Sequence, residues 1–193
     1  VSTSGYVDST TSGWDGFGIY ATSTNAGSSG NVSVDADGDI ASYNDGIYAT
    51  VVGSGNVDVS SSDSITTDGI GGHGIYTKTV SGKLEVESTS ILTTGASSKG
   101  IVAYTDTGDI YVDSGTITST STGIDAYVNG ATGSITIGTY SGGGDVTTSE
   151  DGARGINAFI FDTGNIEISA GTIGTSGVGA GGVYAATRYG NVG

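Results

Sequence analysis

The chain of 193 residues contains no cysteine, no proline and no methionine, and it has only 5 lysines and arginines against 20 aspartates and glutamates. The absence of cysteine excludes disulfides, thiolate catalysis and cysteine-based metal sites. The formal net charge of −15 disfavours nucleic acid as a partner, because proteins neutralise phosphates with lysine and arginine. No apolar run reaches the roughly 18 residues of a membrane-spanning helix, so the sequence predicts no membrane span.

Residues that favour helices are scarce, whereas glycine, serine, threonine and valine are abundant. Leucine, glutamate, lysine and arginine are among the best helix formers, and glycine is among the worst; the chain has 37 glycines. It also has 35% apolar residues and 11 tyrosines, which distinguishes it from a disordered acidic polymer. The composition therefore predicts an all-β protein with a narrow hydrophobic core.

A repeat that begins with Gly-Ile-Tyr-Ala or a variant of it runs through the chain. The copies begin at Gly18, Gly46, Gly74, Gly100, Gly123, Gly155 and Gly182. Their spacing varies from 23 residues (Gly100 to Gly123) to 32 residues (Gly123 to Gly155), so the variable parts are expected to be loops. Such a period is typical of a solenoid, in which no single repeat buries its apolar face alone.

Each copy carries three short β-like segments. The first follows the lead glycine, the second is Gly-Asn-Val-x-Val (first at Gly30), and the third is Thr-rich, as in Ile65-Thr66-Thr67. Alternation of apolar and polar residues indicates strands. When the copies are aligned, one inward column follows the lead glycines: Ile19, Ile47, Ile75, Ile101, Ile124, Ile156 and Val183.

These patterns predict a right-handed, single-stranded parallel β-helix of about six to seven coils of 23–32 residues, which occupies residues 1–193 as a single segment. Stacked strands lie about 4.8 Å apart, so the rod would be about 30 Å long. An up-and-down barrel or a sandwich also has short strands, but neither has a reason to repeat a three-strand unit in register. The right-handed sense is expected because β-crossover-β connections are almost always right-handed.

The Gly-Ile-Tyr-Ala lead, the Gly-Asn-Val-x-Val strand and the Ile-Thr-Thr segment resemble the passenger region of bacterial autotransporters and related secreted β-helix adhesins. The resemblance extends from about Gly18 to Val192. It implies a right-handed β-helix displayed outside a Gram-negative cell. The sequence ends within another second-strand motif, Gly190 to Gly193, so we expect a slice of a longer solenoid.

The second and fourth positions after the lead glycine are predicted to point outward and to form an aromatic stripe. Its members are Tyr20, Tyr48, Tyr76, Tyr104, Tyr127 and Phe159. One interpretation is structural, since stacked tyrosines stiffen a sheet through cross-strand pairs. The other is a ligand-binding strip, because tyrosine presents an apolar face with a polar tip and sugar rings stack on such faces.

The residue before each lead glycine forms a further column, which includes Asp45, His73, Lys99 and Arg154. Asp45 and His73 would lie one turn apart, and an Asp–His pair can orient a nucleophile. The glycines around His73 are expected to leave its backbone poorly fixed, however, and an exposed ion-pair column is the simpler expectation. We therefore predict no catalytic residue.

Few residues in this sequence are candidates for binding a metal ion or for cleaving a substrate. Of the outward carboxylates, Asp58 and Glu85 are predicted to lie on adjacent turns, with Tyr111 and Thr136 between them and Glu167. This arrangement indicates scattered solubilising charge and not the paired carboxylates of glycosidases. Asp35 to Asp39 begins like an EF-hand loop, but Gly46 stands where that loop has its glutamate. We predict no cofactor and no metal site beyond weak surface Ca²⁺ binding.

The function expected from the sequence is a non-enzymatic rod at the outer cell surface, which presents loops and the aromatic stripe to a host surface or a glycan. The longest insertion, around Thr139 to Ala153, is the expected exposed loop. The alternative is a filament subunit that assembles end to end, which would polymerise with concentration and salt. A polysaccharide-degrading enzyme is a third class, and product release would identify it.

Overall fold

The computed structural model describes residues 16–27, 29–139 and 144–193 and, among the first fifteen residues, the backbone of two short strands. The described residues form 18 strands and no helix, and therefore contain no helix that could cross a membrane. The strands are β1 Ser2–Ser4, β2 Val7–Ser9, β3 Ile19–Ser23, β4 Val32–Asp37, β5 Ile40–Ser42, β6 Ile47–Val51, β7 Val57–Thr67, β8 Ile75–Thr79, β9 Leu84–Thr93, β10 Ile101–Thr105, β11 Ile110–Ser119, β12 Ile124–Val128, β13 Ile135–Thr139, β14 Val146–Thr148, β15 Arg154–Thr163, β16 Ile166–Ser169, β17 Ile173–Thr175 and β18 Gly181–Tyr189.

The strands stack in parallel into two sheets. The seven-stranded sheet has the order β18-β15-β12-β10-β8-β6-β3, so each neighbour comes from the next turn of the chain. The eleven-stranded sheet follows β1-β4-β7-β9-β11-β13-β16, with β2, β5, β14 and β17 beside this path. The chain is thus a parallel β-solenoid of about six turns, and the predicted fold is confirmed. Its right-handed sense stays a prediction.

The isoleucine column lies inside the solenoid. The strand register joins Ile19 to Ile47 and continues turn by turn to Ile156 and Val183. All six isoleucines are buried, as predicted. Val183 holds the expected register but is 50% exposed, so its assignment to the core is wrong. It lies on β18, the edge of the seven-stranded sheet, where no described strand covers it.

The second and third segments of the repeat were predicted to be separate strands, but in several turns they are continuous. In β7, β9 and β11 they join into one strand of 10 or 11 residues. In β7 the register shifts between Ser61 and Ser64, where the strand turns the corner. In the preceding turn Gly38, at φ 135°, separates β4 from β5, because this backbone conformation interrupts a strand and favours glycine.

Hydroxyl groups close one corner of the solenoid. The last residue of the Thr-rich segment is buried in successive turns, as in Thr67, Thr93 and Ser119. Thr67 Oγ1 donates to the carbonyl of Gly72 at 2.9 Å, and Ser119 Oγ donates to that of Ser121 at 3.0 Å. Each bond satisfies a buried hydroxyl and fixes the loop that leads to the next glycine.

Asparagine and aspartate side chains close a second corner. Asn31 Oδ1 accepts the backbone N–H of Asn56 at 2.9 Å, and Asn56 Oδ1 accepts that of Lys83 at 2.9 Å. Asp109 Oδ1 accepts the N–H of Ser134 in the same way at 2.8 Å. The asparagine of Gly-Asn-Val thus supplies an acceptor to the next turn where the peptide ladder is interrupted.

The predicted exposed loop at 139–153 is largely wrong. Thr139 and Ala153 are buried, and Val146 and Thr148 on β14 are inaccessible to solvent, because this stretch supplies the third strand of its turn. Residues 140–143 of the predicted loop lie outside the described residues.

Candidate binding surface

Six aromatic rings line the outer face of the seven-stranded sheet, in two runs. In the first run, Tyr20, Tyr48 and Tyr76 have ring centroids 5.0 Å apart and planes within 4° of parallel. In the second run, Tyr104, Tyr127 and Phe159 have centroids 5.6 and 5.1 Å apart. The runs occupy adjacent columns, because the aromatic residue moves from the second to the fourth position after the glycine. We call the six residues the aromatic strip.

The ring faces within each run cover one another. A ligand therefore reaches the ring edges and hydroxyl tips, and the sugar-ring stacking expected from the sequence is restricted to the ends of the runs. At one end the Lys78 ammonium lies 5.0 Å from the Tyr104 ring centre. At another the His73 ring lies 6.2 Å from that of Tyr76. Phe159 has the small Ala186 as its neighbour on β18 and so offers the more open face.

Tyr48, Tyr76 and Tyr104 of the strip are neutral hydrogen-bond donors at physiological pH. Tyr20 is 60% exposed and the other five rings are partly buried. Burial raises the pKa of the Tyr48 and Tyr76 hydroxyls above the ordinary value of 10.0. Burial, followed by a hydrogen bond to Asp106, also raises the pKa of Tyr104. The strip therefore combines apolar ring edges with protonated phenols.

The residues before the lead glycines contact one another across turns, as their spacing predicted, but Asp45, His73 and Lys99 do so through backbone hydrogen bonds and not as the expected exposed ion-pair column. His73 N donates to Asp45 Oδ1 at 2.7 Å, and Lys99 N donates to His73 Nδ1 at 3.1 Å. The His73 carbonyl accepts the N–H of Gly46 at 2.9 Å. The expectation of a poorly fixed His73 backbone is therefore wrong, because the adjoining turn bonds both its N–H and its C=O.

This connection differs from the Asp–His couple of a nucleophilic site. Asp45 accepts the main-chain amide of His73 and not its imidazole. The imidazole Nδ1 is itself an acceptor for Lys99 N–H, which places the ring proton on Nε2. The pair therefore holds consecutive turns together, in the same manner as the asparagines at the other corner.

A chain of polar contacts continues from this column towards the last turn. Lys99 Nζ forms an ion pair with Asp125, and Asp125 Oδ1 accepts Asn157 Nδ2 at 2.6 Å. Arg154 donates to Asn157 Oδ1 at 2.8 Å and covers the Tyr184 ring at 4.2 Å. The sequence analysis missed this chain because it joins two columns. The signal is that the polar residues Asp125 and Asn157 replace tyrosine at the second position of two successive copies.

Asp45 and His73 have shifted pKa values in opposite directions. Asp45 is only 8% exposed, and burial raises its pKa to about 6 although the His73 amide opposes the shift. Burial, and then the Lys99 ammonium, lower the pKa of His73 to about 4, while Asp125 opposes this. Around neutral pH the carboxylate is therefore largely ionised in a poorly solvated place, and the imidazole is neutral.

The two shifts are expected to offset each other in the pH dependence of stability. From pH 3.8 to about 6, folded Asp45 keeps a proton that the unfolded chain releases, so its contribution falls as pH rises. From about pH 4 to 6.5, the unfolded chain binds a proton that folded His73 does not, so that contribution rises. As pH rises from 4 to 6.5, the free energy of unfolding of Asp45→Asn should increase relative to that of the wild type by up to about 3 kcal/mol. His73→Asn should lose a similar amount over that range.

Urea unfolding at several pH values between 4 and 6.5 measures both differences. Each asparagine retains an oxygen that can accept the backbone N–H of the next turn. A loss of packing would lower the free energy of unfolding of a variant by the same amount at every pH, so the pH dependence reports the pKa shifts. Profiles parallel to that of the wild type would contradict the assigned shifts.

The acidic residues of the EF-hand-like segment are used by the next turn. Asp37 Oδ1 accepts Ser62 Oγ at 3.1 Å, and Asp39 Oδ1 accepts the Ser64 hydroxyl at 2.6 Å and its N–H at 3.2 Å. The bonds from Ser64 lower the pKa of Asp39. In the part of the chain that the structure describes, no three histidine, aspartate or glutamate side chains converge as a metal site. Weak Ca²⁺ binding stays a prediction.

The outward carboxylates are arranged as the alignment of the repeats predicted. Asp58 on β7 pairs in register with Glu85 on β9, whose carboxylate lies 2.7 Å from Lys83 Nζ. Glu167 on β16 pairs instead with Thr136. Two intervening strands, β11 at Tyr111 and β13 at Thr136, thus separate Glu167 from the other two.

The fold and its surface were also compared with known proteins. No protein-family model matches the chain, and neither the curated proteins nor the solved structures give a match. The resemblance to autotransporter passengers and secreted β-helix adhesins therefore stays a prediction from the repeat, and what the structure shows is a parallel β-solenoid with an aromatic strip along one sheet.

Proposed function

We propose that the chain is a rigid extracellular rod of the adhesin or passenger type, which binds a host surface or glycan along the aromatic strip. The observation that carries the proposal is the strip itself, in which six successive strands each contribute one outward ring to the same face of the seven-stranded sheet. A surface that served the fold alone would not need aromatic residues in every one of these turns, since Thr and Val also pair well across strands.

Rigidity supports the role of a rod. Buried isoleucines and asparagine acceptors connect each turn to the next, and corner hydroxyls fix loops within a turn. The net charge of −15 makes neighbouring rods repel one another, which keeps them separate and soluble. Together these features would hold a binding face at a distance from the cell.

The geometry of the strip favours a neutral linear glycan that lies along the rod. The rings repeat at 5.0 Å in the first run, so a polymer of sugar units meets a similar group at each turn. Phenol hydroxyls donate to sugar oxygens, and the ring edges contact its C–H groups. An acidic glycan would be repelled by the charge of the chain.

Removal of the middle ring of each run is expected to weaken this binding. The double variant Tyr48→Ala, Tyr127→Ala interrupts both runs, and we expect its affinity for neutral linear oligosaccharides on a glycan array to fall by about tenfold or more, equivalent to about 1.4 kcal/mol. The variant also loses five ring contacts, at about 0.2–1 kcal/mol for each cross-strand pair, so circular dichroism and thermal unfolding should establish that it is folded.

Tyr111→Ala is the matched control, because Tyr111 is an outward tyrosine on the eleven-stranded sheet, with Lys83 above its ring. It should bind like the wild type. Equal binding by the double variant and the control would refute the proposal, and release of shorter sugars in the same assay would indicate a polysaccharide-degrading enzyme. Antibody labelling of intact cells that express the full-length protein tests its display.

The second candidate is a filament subunit, which one observation favours. The free edge of β18 has no partner among the described strands, and Val183, Tyr184 and Tyr189 beside it are 42–58% exposed. An open edge of this kind can pair with another chain. Sedimentation that increases with protein concentration and with salt, which screens the like charges, would favour the filament, and a stable monomer at all salt concentrations would favour the rod.

A further inference from the structure

An open groove of ≈ 440 Å³ lies at the corner of the solenoid, beside the first run of the aromatic strip. Its lining residues are Phe17, Tyr43, Asn44, Asp45, Ile70, Gly71 and Gly72. Phe17 connects it to the strip, because its ring lies 5.3 Å from that of Tyr20 and 5.5 Å from that of Tyr48. Ile70 is 79% exposed. The groove therefore combines two aromatic rings, an exposed aliphatic side chain and one carboxylate.

No lysine or arginine balances the Asp45 carboxylate. The chain has five lysines and arginines, all in described residues, and each has another partner. Lys83 pairs with Glu85, Lys99 pairs with Asp125, and Lys78, Arg154 and Arg188 lie over the rings of Tyr104, Tyr184 and Tyr189. Asp45 accepts one hydrogen bond, from a neutral backbone amide. An ionised carboxylate that is 8% exposed is costly without a counter-charge.

We propose that this groove binds a small quaternary ammonium cation, with Asp45 as its counter-charge and Phe17 and Tyr43 as its aromatic contacts. This site goes beyond the proposed glycan strip, since it lies at the corner and depends on charge. The volume is in the range of small-molecule sites. Aromatic rings next to a carboxylate attract an alkylated ammonium through both the ring quadrupole and the ion pair.

Other ligand classes fit the groove less well. A divalent metal ion takes six or more oxygen ligands, and the groove supplies one carboxylate. A neutral sugar would leave the buried charge without compensation, and an anion would be repelled by it. A strongly hydrated ammonium such as a lysine head would lose its water against Ile70 and the rings, whereas a methylated ammonium carries an apolar surface.

Choline is the probe for this site, and 3,3-dimethylbutan-1-ol is its uncharged isostere. In 150 mM salt we expect ¹H–¹⁵N NMR titration of the protein with choline to shift the amides of Asp45, Gly71 and Gly72 and to saturate in the millimolar range. The isostere should bind at least about tenfold more weakly, because it lacks the charge.

Two variants locate the interaction. Asp45→Asn keeps the acceptor for the His73 amide and should weaken choline binding at least about tenfold. Asp58→Asn removes an exposed carboxylate from the other sheet and should leave the affinity unchanged. Tyr43→Leu, which keeps an apolar side chain without the ring, should weaken binding by a smaller factor. Thermal unfolding and the NMR spectra of the unliganded variants establish that they are folded.

The affinity should also decrease as pH falls from 7 to 5. The groups that face Asp45 are His73, Tyr48 and Tyr76, and His73 is largely neutral throughout this range, while the pKa values of both tyrosines lie above 10.0. Protonation of Asp45 itself is therefore the expected cause, and Asp45→Asn should remove the pH dependence.

Three results would overturn the proposal. One is equal binding of choline and its isostere, which would show an apolar groove without charge recognition. Another is unchanged choline affinity in Asp45→Asn, which would place the cation elsewhere on the acidic surface. The third is the absence of any shift at Asp45, Gly71 or Gly72 at saturating choline. Choline binding is measured on the wild-type protein and does not depend on glycan binding, so failure of the glycan proposal would leave the choline proposal testable.

Discussion

Gly82→Ala is expected to lower the free energy of unfolding by about 3 kcal/mol or more. Gly82 lies two residues before β9 and directly over Gly55, the corresponding glycine of the preceding turn. A Cβ atom at Gly82 would lie 2.5 Å from the Gly55 carbonyl carbon and closer still to the carbonyl oxygen. These are backbone atoms, so the clash is relieved only if the two turns separate and their hydrogen bonds lengthen.

Gly138→Ala is the matched control for this substitution. Gly138 lies in strand β13, and a Cβ atom there would meet the Asp113 side chain at 3.4 Å and the Val112 carbonyl oxygen at 3.9 Å, which are ordinary van der Waals contacts. We expect its stability to change by less than about 1 kcal/mol, with a gain if alanine restricts the unfolded chain. Urea unfolding of both variants measures the difference. Similar stability of Gly82→Ala and Gly138→Ala would mean that the turns are not stacked as closely as described.

Ile101→Ala is expected to cost about 2–5 kcal/mol, the range for a large-to-small substitution in a rigid core. Ile101 is 0% exposed and lies between Ile75 and Ile124 in the inward column. The neighbouring turns cannot collapse into the cavity, because the strand register fixes their spacing. A defect in the middle of a stacked array also weakens two interfaces between turns.

Val183→Ala tests the same column where it is open. Val183 is in register with Ile156 but is 50% exposed, so we expect a loss below about 1 kcal/mol. Leu92→Ala, at an outward position that is 40% exposed, should also have a small effect. A cost at Ile101 no greater than at Leu92 would contradict an inward position for the column.

The inward columns could be predicted because they depend on local chemistry that repeats. Each copy places an isoleucine after its lead glycine, and any parallel stack in register then puts these side chains in one row. The prediction is wrong at Val183, because the repeat pattern does not show which turn has a neighbouring strand on both sides. It also failed at 139–153, where a long spacing was interpreted as a loop although Val146 and Thr148 complete a buried strand.

The two candidate sites were accessible to sequence analysis to different degrees. The six residues of the aromatic strip followed from outward positions in the repeat, whereas the coverage of the ring faces depends on side-chain rotation and on the 5.0 Å spacing. The groove was not predicted, because Phe17, Tyr43, Asp45 and Ile70 come from three different turns. These residues do not recur at equivalent positions of the other repeats, so the repeat pattern gives no indication of the groove.

The sequence by itself determined the class of fold, since the spaced glycines, the aliphatic columns and the shortage of helix formers are compatible with little except a stack of parallel strands. Only the tertiary structure decided which polar groups contact one another across turns. Contacts such as Asp45 with the His73 amide join residues 28 positions apart, and their burial sets both the shifted pKa values and the uncompensated charge in the groove. The physical reason is that hydrophobic periodicity is encoded in each turn separately, whereas burial and electrostatics depend on how neighbouring turns pack.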